Sequence, residues 1–484
     1  MFKEHPKGLQ VLFMTEMWER FSYYGMRAIL VLFMTAAAIT GGLEFDLPTA
    51  MAIYGLYTFG VYAMALPGGW IADRLIGQQN GVLIGGILIA TGNYSLAIPG
   101  MVTFYLGLLL VIFGTGLLKP NVSAIVGGLY PEDDGGARRD AGFSIFYMGI
   151  NVGAILGQII VGFLGEKVNW HFGFLAAGIA MTLGVIQFIS RKKILGEAGI
   201  LKGDEAKSEM KASAAKQFLM GIGIVFVIIV AVLFYYQSLG SFDIVTFAQN
   251  TGYILLAIAV LYFLAIIIFA CKDAMERKRV GMIAVLFLGA IAFFGGFEQA
   301  GSSMNIFARD LTDRVMLGWE VPASWLQNIN PIFIVVLAPV IGALWVKLGQ
   351  KNPTIPVKFA LGLILLGAGF FVLAWGSTFI EDGKVSPMWL IVTYFFHTVG
   401  ELCLSPVGLS SVTKLSPQRL VGQMMGTWFL GAALGNLIAG LVAGTIESFP
   451  QYLLYSVVAG FVTVFGLVFV ILRKQIQNLA GGIK

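Results

Sequence analysis

The chain of 484 residues is 58% hydrophobic and only 12% charged, with a mean hydropathy of +0.85 and a formal net charge of +5. That composition excludes a soluble globule and fits a chain that crosses a lipid bilayer many times. Cys271 and Cys403 give no disulfide framework and the three histidines have no metal-ligand spacing, so no metal, cofactor or nucleic-acid partner is expected.

The polar start MFKEHPKGLQ leads into a long apolar run with no small-residue cleavage site, so no removable signal peptide is expected. Apolar runs between Gly, Pro and charged punctuation predict helices at about 9–40, 49–75, 80–98, 101–128, 140–164, 170–190, 216–237, 250–271, 281–307, 324–348, 355–378, 386–413, 420–446 and 450–472. Each can cross a hydrocarbon layer of ~30 Å. Fourteen spans, an even number, put both ends on one side. The loops and tails of that side carry 24 Lys/Arg, against Lys167, Arg309, Arg314 and Lys384 opposite, which predicts cytoplasmic termini.

The longest polar connection, residues 191–216, carries seven Lys/Arg and reads as a partly helical cytoplasmic linker. The two helices after it read as an inserted hairpin. The expected division is a six-helix bundle over 1–190, linker and hairpin over 191–279, and a second six-helix bundle over 280–484. Transporters built from two such halves bind substrate at the midplane between them.

Seven charges fall inside predicted helices: Glu16, Glu19, Arg20, Arg27, Lys119, Glu298 and Glu401. At ~3 kcal/mol each, seven unpaired charges would cost roughly 20 kcal/mol, more than a typical folding free energy. They must face one another or water. Glu16, Arg20, Tyr23 and Arg27 follow i, i+4, i+7, i+11 and form one stripe, flanked by Glu19 and Tyr24. Two carboxylates beside a fixed guanidinium make a proton-accepting group. Arg27, always charged and forked, suits a carboxylate. A static ion cluster is the alternative, but four buried acids against three bases leave room for an exchangeable proton.

In GTGLLKPNVS, Pro120 cannot donate to the Gly116 carbonyl, which predicts a kink beside Lys119 and a gate or ligand contact there. Glu298 lies in the Gly/Ser-rich FFGGFEQAGSSMN and Glu401 in FFHTVGELCLSPVG, opposite the three buried bases of the first half. Ion pairs spanning the halves, made and broken by substrate and proton, would couple binding to rocking. His397, one turn before Glu401, reads as a packing residue before a proton relay. Asp73 and Arg74 of GGWIADRLIGQQNG cap and bridge helix ends. Asn151, among the small residues of FYMGINVGAILG, serves either close packing or substrate contact. Tyr62, Asn328 and Trp428 are pocket candidates whose bland alternative is packing.

Glu16-x-x-Glu19-Arg20-Phe21-x-Tyr23-Tyr24-Gly25 resembles the ExxERFxYYG signature of the proton-dependent oligopeptide transporter family, within the major facilitator superfamily. GGWIADRLIG, GTGLLKPNVS, FYMGINVGAILG and GELCLSPVG resemble its further motifs in order, over essentially the whole chain. The resemblance implies an all-α membrane protein of the major facilitator fold, two six-helix bundles plus two inserted helices. It implies a symporter of the bacterial inner membrane, not an enzyme, that imports di- and tripeptides with protons by alternating access. Glu16, Glu19 and Arg20, with Glu298, would couple protons. Arg27 and Lys119 would hold the peptide carboxylate, and Glu401, with Asn151 and Asn328, its ammonium. Tyr24 and Tyr62 would contact the peptide, while Trp428 and Phe294 would wall side-chain pockets, Phe294 standing where some relatives carry tryptophan. Arg27 with Glu298, and Lys119 with Glu401, would form inter-bundle salt bridges.

Nitrate or another small anion on the same scaffold is the nearest alternative, but it has no use for Glu401. Drug efflux fits poorly with three buried bases. No filter-like repeat, metal cluster or nucleophile–base pair favours a channel or an enzyme.

Overall fold

A computed structural model describes residues 4–130, 137–201, 213, 216, 220, 242–446 and 448–481. Its first half contains α1 (Lys7–Thr35), α2 (Leu47–Ala63), α3 (Ala65–Ile71), α4 (Gln78–Leu96), α5 (Met101–Gly128), α6 (Ala137–Phe163) and α7 (Trp170–Arg191). After them come α8 (Ile244–Ala265), α9 (Ala274–Phe297), α10 (Ser303–Asp310), α11 (Ile329–Leu348), α12 (Ile355–Gly376), α13 (Met388–Leu415), α14 (Val421–Ala443), α15 (Gln451–Ile471) and the short α16 (Arg473–Leu479). Among the described residues, eleven spans are long and apolar enough to cross a membrane. The charged α1 and the glycine-rich, polar α4 add two helices of 29 and 19 residues. The helix expected at 216–237, and most of the linker before it, lie outside the described residues. The architecture is an all-α membrane protein of the major facilitator type.

Three boundaries differ from the sequence expectation, each for a local reason. Helix α1 stops at Thr35 instead of about 40, because Leu43, Glu44 and Phe45 return to donate to the carbonyls of Phe33, Ala36 and Met34. Gly41, at φ +81°, makes that return possible, and the loop satisfies carbonyls that the helix end would leave bare. The second span divides at Met64 into α2 and α3, since Pro67 cannot donate to Ala63. The span expected at 281–307 is interrupted: α9 ends at Phe297, a 3-10 turn covers Glu298–Gly301, and α10 resumes at Ser303. Pro120, in contrast, lies inside a helix that runs on to Gly128. The Gly116 carbonyl it cannot serve faces Gly68, where a Cβ would come within 2.0 Å.

Small residues set the packing. A Cβ on Gly153 or Gly157 of α6 would lie 2.2 Å from the carbonyl oxygen of Met17 or Phe21 of α1. The glycines of FYMGINVGAILG therefore bring α6 against α1, as close-packed membrane helices require, and leave Asn151 on another face. Helices α1–α7 pack on one another, as do α9–α15, and the two sets meet along α2 with α14, α1 with α10, and α6 with α11. Helix α8 lies over the seam of α2 and α14, burying Ala248 against Ala52 and Leu437.

The hydrogen bonds described between the two sets lie at the level of Arg27 or farther from the N-terminal face. Asn305 donates to the Ala28 carbonyl at 2.8 Å, Arg309 to Thr35 Oγ1 at 2.6 Å, and the Trp325 indole to the Ile159 carbonyl at 2.9 Å. The interior is thus sealed on the face away from the N-terminus.

Overpacking a close contact costs ~1–3 kcal/mol. Gly157→Val is expected to lower the apparent melting temperature in detergent by several degrees, while Gly281→Ala, with nothing within 4 Å of its Cβ position, leaves it unchanged or higher. Equal melting temperatures would contradict the α1–α6 contact.

Candidate functional site

A hollow of about 260 Å³ lies between the two sets of helices. Its first wall is α1, with Glu16, Arg20, Tyr24 and Arg27, joined by Tyr62, by Lys119 of α5 and by Asn151 of α6. Facing it are Phe294 and Glu298 at the end of α9, Asn330 of α11, and Tyr394, His397 and Glu401 of α13.

On α1, Arg20 Nε donates to Glu16 Oε1 at 2.8 Å and lies 2.6 Å from Glu19 Oε2. Glu19 is fully buried behind Arg20 and does not line the hollow. The Arg20 guanidinium sits 5.5 Å and 5.9 Å from the ring centroids of Tyr23 and Tyr24, within the range of cation–π attraction. Tyr23, though on the predicted stripe, is turned into the core. Two carboxylates thus share one guanidinium.

About two turns beyond Arg20, Arg27 forms an ion pair with Glu298 across the two sets of helices. Its Nε donates to Tyr54 Oη at 2.6 Å. Glu298 reaches this position because its helix stops one residue earlier and tightens into the 3-10 turn.

Lys119 and Glu401 are arranged differently. The Lys119 ammonium rests 4.1 Å from the centroid of Tyr62, and among the described residues no carboxylate stands within ion-pair distance of it. Glu401 Oε2 accepts from Asn330 Nδ2 at 3.2 Å, and the same amide reaches Thr398 Oγ1 at 3.0 Å. No cation pairs with Glu401 among the described residues. The expected Lys119–Glu401 bridge is therefore absent: each charge is held to its own wall, with the hollow between.

Two further expectations are corrected. Asn328 is buried beside the hollow's wall without lining it, and both of its side-chain polar atoms lack partners. Asn330, about 200° farther round the helix, occupies the place expected for it. Trp428 lies behind Phe294, with ring centroids 6.3 Å apart, and does not line the hollow. It also packs on Phe359, and Gly408 leaves room for its indole. Asn151 does reach the hollow, its amide donating to the Tyr147 carbonyl at 3.0 Å. His397 lines the hollow, and its ring packs 4.6 Å from that of Phe370.

The sequence reading missed Tyr54, Tyr147, Gln158, Gln327, Asn330 and Tyr394. For Tyr394 a signal existed, since Tyr394, His397 and Glu401 follow i, i+3, i+7 on one helical face. For Tyr54 none did, because its role depends on where α2 crosses α1.

Charges of both signs on facing walls of a hollow inside a many-span helical protein define a membrane transporter. The family model described as PTR2, POT family, matches residues 76–458. The peptide transporter YePEPT of Yersinia enterocolitica is 39% identical, over 92% of this chain and 89% of its own. The di-/tripeptide transporter of Lactococcus lactis subsp. cremoris is 36% identical, over 100% and 98%. A crystal structure of the peptide transporter POT in complex with sulfate superposes with a TM-score of 0.91 at 41% identity, covering 99% of this chain and 96% of that one. The chain belongs to the POT family.

Removing one member of a buried ion pair leaves its partner uncompensated, at a cost of about 3–5 kcal/mol. Glu298→Ala, which strands Arg27, is expected to lower the apparent melting temperature well below that of Glu401→Ala, which strands only the Asn330 amide. Thermal unfolding of both variants in detergent at neutral pH tests this, and the reverse order would refute the pairing.

Proposed function

We propose that the chain is a symporter that carries di- and tripeptides together with protons into the cell by alternating access across the bacterial inner membrane, with both termini cytoplasmic. The observation that carries this reading is the pair Lys119 and Glu401, half-buried opposite charges on facing walls of the hollow, each held by uncharged groups. A small zwitterion supplies a carboxylate to one and an ammonium to the other, and compensates two charges that are otherwise costly in oil.

In this reading Arg27 and Lys119 receive the peptide carboxylate. Glu401, with Asn330 and Asn151, receives the ammonium, and Tyr24, Tyr62 and Phe294 line the space for side chains and backbone. Glu16, Glu19 and Arg20 carry one carboxylate more than their guanidinium can balance, so the group can take up a proton. Protonating Glu298 would release Arg27 from its cross-bundle pair, freeing it for the substrate and loosening the seal on the outer side. The helices of 1–190 and 280–484 act as the two rocking bundles, with 191–279 as linker and inserted hairpin. Because the described cross-bundle bonds lie on the outer side, the hollow faces the cytoplasm in this conformation. The names of the Yersinia and Lactococcus relatives support peptides as cargo. A small inorganic anion would leave Glu401 without a role and opposed to the cargo.

The direct test is uptake into proteoliposomes of labelled dialanine, nitrate or a cationic dye, with and without an inward proton gradient. Gradient-stimulated accumulation of dialanine alone is expected, and accumulation of nitrate or dye in its place would overturn the proposal. Glu19→Gln is expected to abolish concentrative uptake while leaving peptide counterflow measurable; if accumulation up a gradient survives, Glu19 is not in the coupling group. Arg27→Ala is expected to weaken dialanine binding at least tenfold while a C-terminally amidated dipeptide loses little, so equal losses would remove Arg27 from the carboxylate site.

A further inference from the structure

At the outer end of α6 the chain widens into a π-helical turn, Leu164–Val168, before Asn169 caps α7 through the amide of His171. Glu166 projects from this turn toward the other bundle. There the span Ala323–Leu348 begins, preceded by Pro322, which provides no side-chain cap for the first turn. The first amides of a helix need an acceptor, and an uncapped start is left with bare donors.

Glu166 is that acceptor. Its Oε2 receives Ala323 N–H at 2.7 Å and its Oε1 receives Ser324 N–H at 2.9 Å, while the Ser324 hydroxyl also donates to Oε1. The approach depends on Gly162, one turn earlier in α6, where a Cβ would lie 2.3 Å from Ser324 Oγ. Beside it Lys167 pairs with Glu320 at 3.3 Å, and Arg314 steadies Glu320 from its own side at 2.8 Å. Arg314 also holds the Glu320 carboxyl below the usual carboxylate range.

We propose that Glu166 is an outer latch, a carboxylate of one bundle that caps a helix of the other, so that opening toward the outside must strip three charge-assisted hydrogen bonds at once. Such bonds are directional and lose their strength within a small separation. The latch therefore acts as a two-state contact, made when the outer side is closed and lost when it opens. Bulk water can replace the lost bonds on opening, but the helix start has no cap of its own to fall back on.

The inference rests on the alternating-access part of the proposed function. It is tested on the full-length protein in nanodiscs, without peptide or gradient, by electron–electron distance measurement between nitroxides at Val168 and Val315. Both residues are exposed on the outer rim, one in each bundle. Glu166→Ala is expected to raise the ratio of separated to close label pairs by about tenfold, with Glu166→Gln and Ser324→Ala shifting it less in the same direction. An unchanged distribution in Glu166→Ala would overturn the proposal. If Glu166→Ala does not fold, Ser324→Ala decides, since it removes one bond and leaves the carboxylate in place: no shift there refutes the latch. Normal shifts in a protein that fails to take up dialanine would fault the substrate reading and leave the latch standing.

Discussion

A guanidinium inside a hydrocarbon layer must find an anion or water, and in this chain Arg27 finds Glu298 on the opposing set of helices. Much of the local structure serves that meeting. Helix α1 is held rigidly against α6 by glycines at 153 and 157, which fixes the height of Arg27. The opposing span breaks at Phe297, which lets Glu298 project from a 3-10 turn. Tyr54 accepts from the guanidinium Nε. An ion pair that joins two bodies is a different object from one within a body: it can only be lost if the bodies separate or if a proton or another anion takes one partner's place.

The charges half-buried on the facing walls of the hollow depart from that solution. Lys119 and Glu401 are kept by an aromatic face and by an amide, contacts much weaker than a salt bridge in oil. A protein that needed them only for stability would gain by joining or removing them. Their separation across a hollow leaves both charges open to whatever enters it. The same contrast distinguishes the pairs by geometry, since Arg27 and Glu298 meet across the two sets of helices while Lys119 and Glu401 line facing walls of the hollow without meeting.

The α1 stripe was legible in the sequence because charges recurring every third or fourth residue of an apolar run are too costly to face lipid and must turn inward together. Glu16, Arg20 and Arg27 of that stripe line the hollow, as does the flanking Tyr24, whereas Tyr23 turns into the core. Phase alone failed where a helix begins. At LQNINP the chain passes from a 3-10 turn to an α-helix, the angle per residue changes, and Asn328 and Asn330 exchange inside for outside. Trp428 shows a second kind of failure, in which residue type is right and depth is wrong, because only packing reveals that Phe294 stands in front of it. Tyr54 shows a third. Its partner is distant in sequence, and no local pattern marks a tyrosine that meets an arginine at a helix crossing.

Two discontinuities of the fold fall where charges cross between the two sets of helices. The span that carries Glu298 is broken there, and the span that begins at Ala323 starts on a proline and takes its cap from Glu166. An unbroken helix satisfies its own backbone and has nothing to offer a neighbour except side chains. A broken or uncapped one presents free amides and carbonyls, which in a membrane must be satisfied by another element. Placing those needs at the boundary between the two sets adds discrete, directional contacts to the apolar contact of α2 with α14. Smooth surfaces slide, whereas directional contacts are either made or broken. Joined this way at Arg27 with Glu298 and at Glu166 with the span from Ala323, the two sets of helices are held by contacts that a small separation breaks all at once.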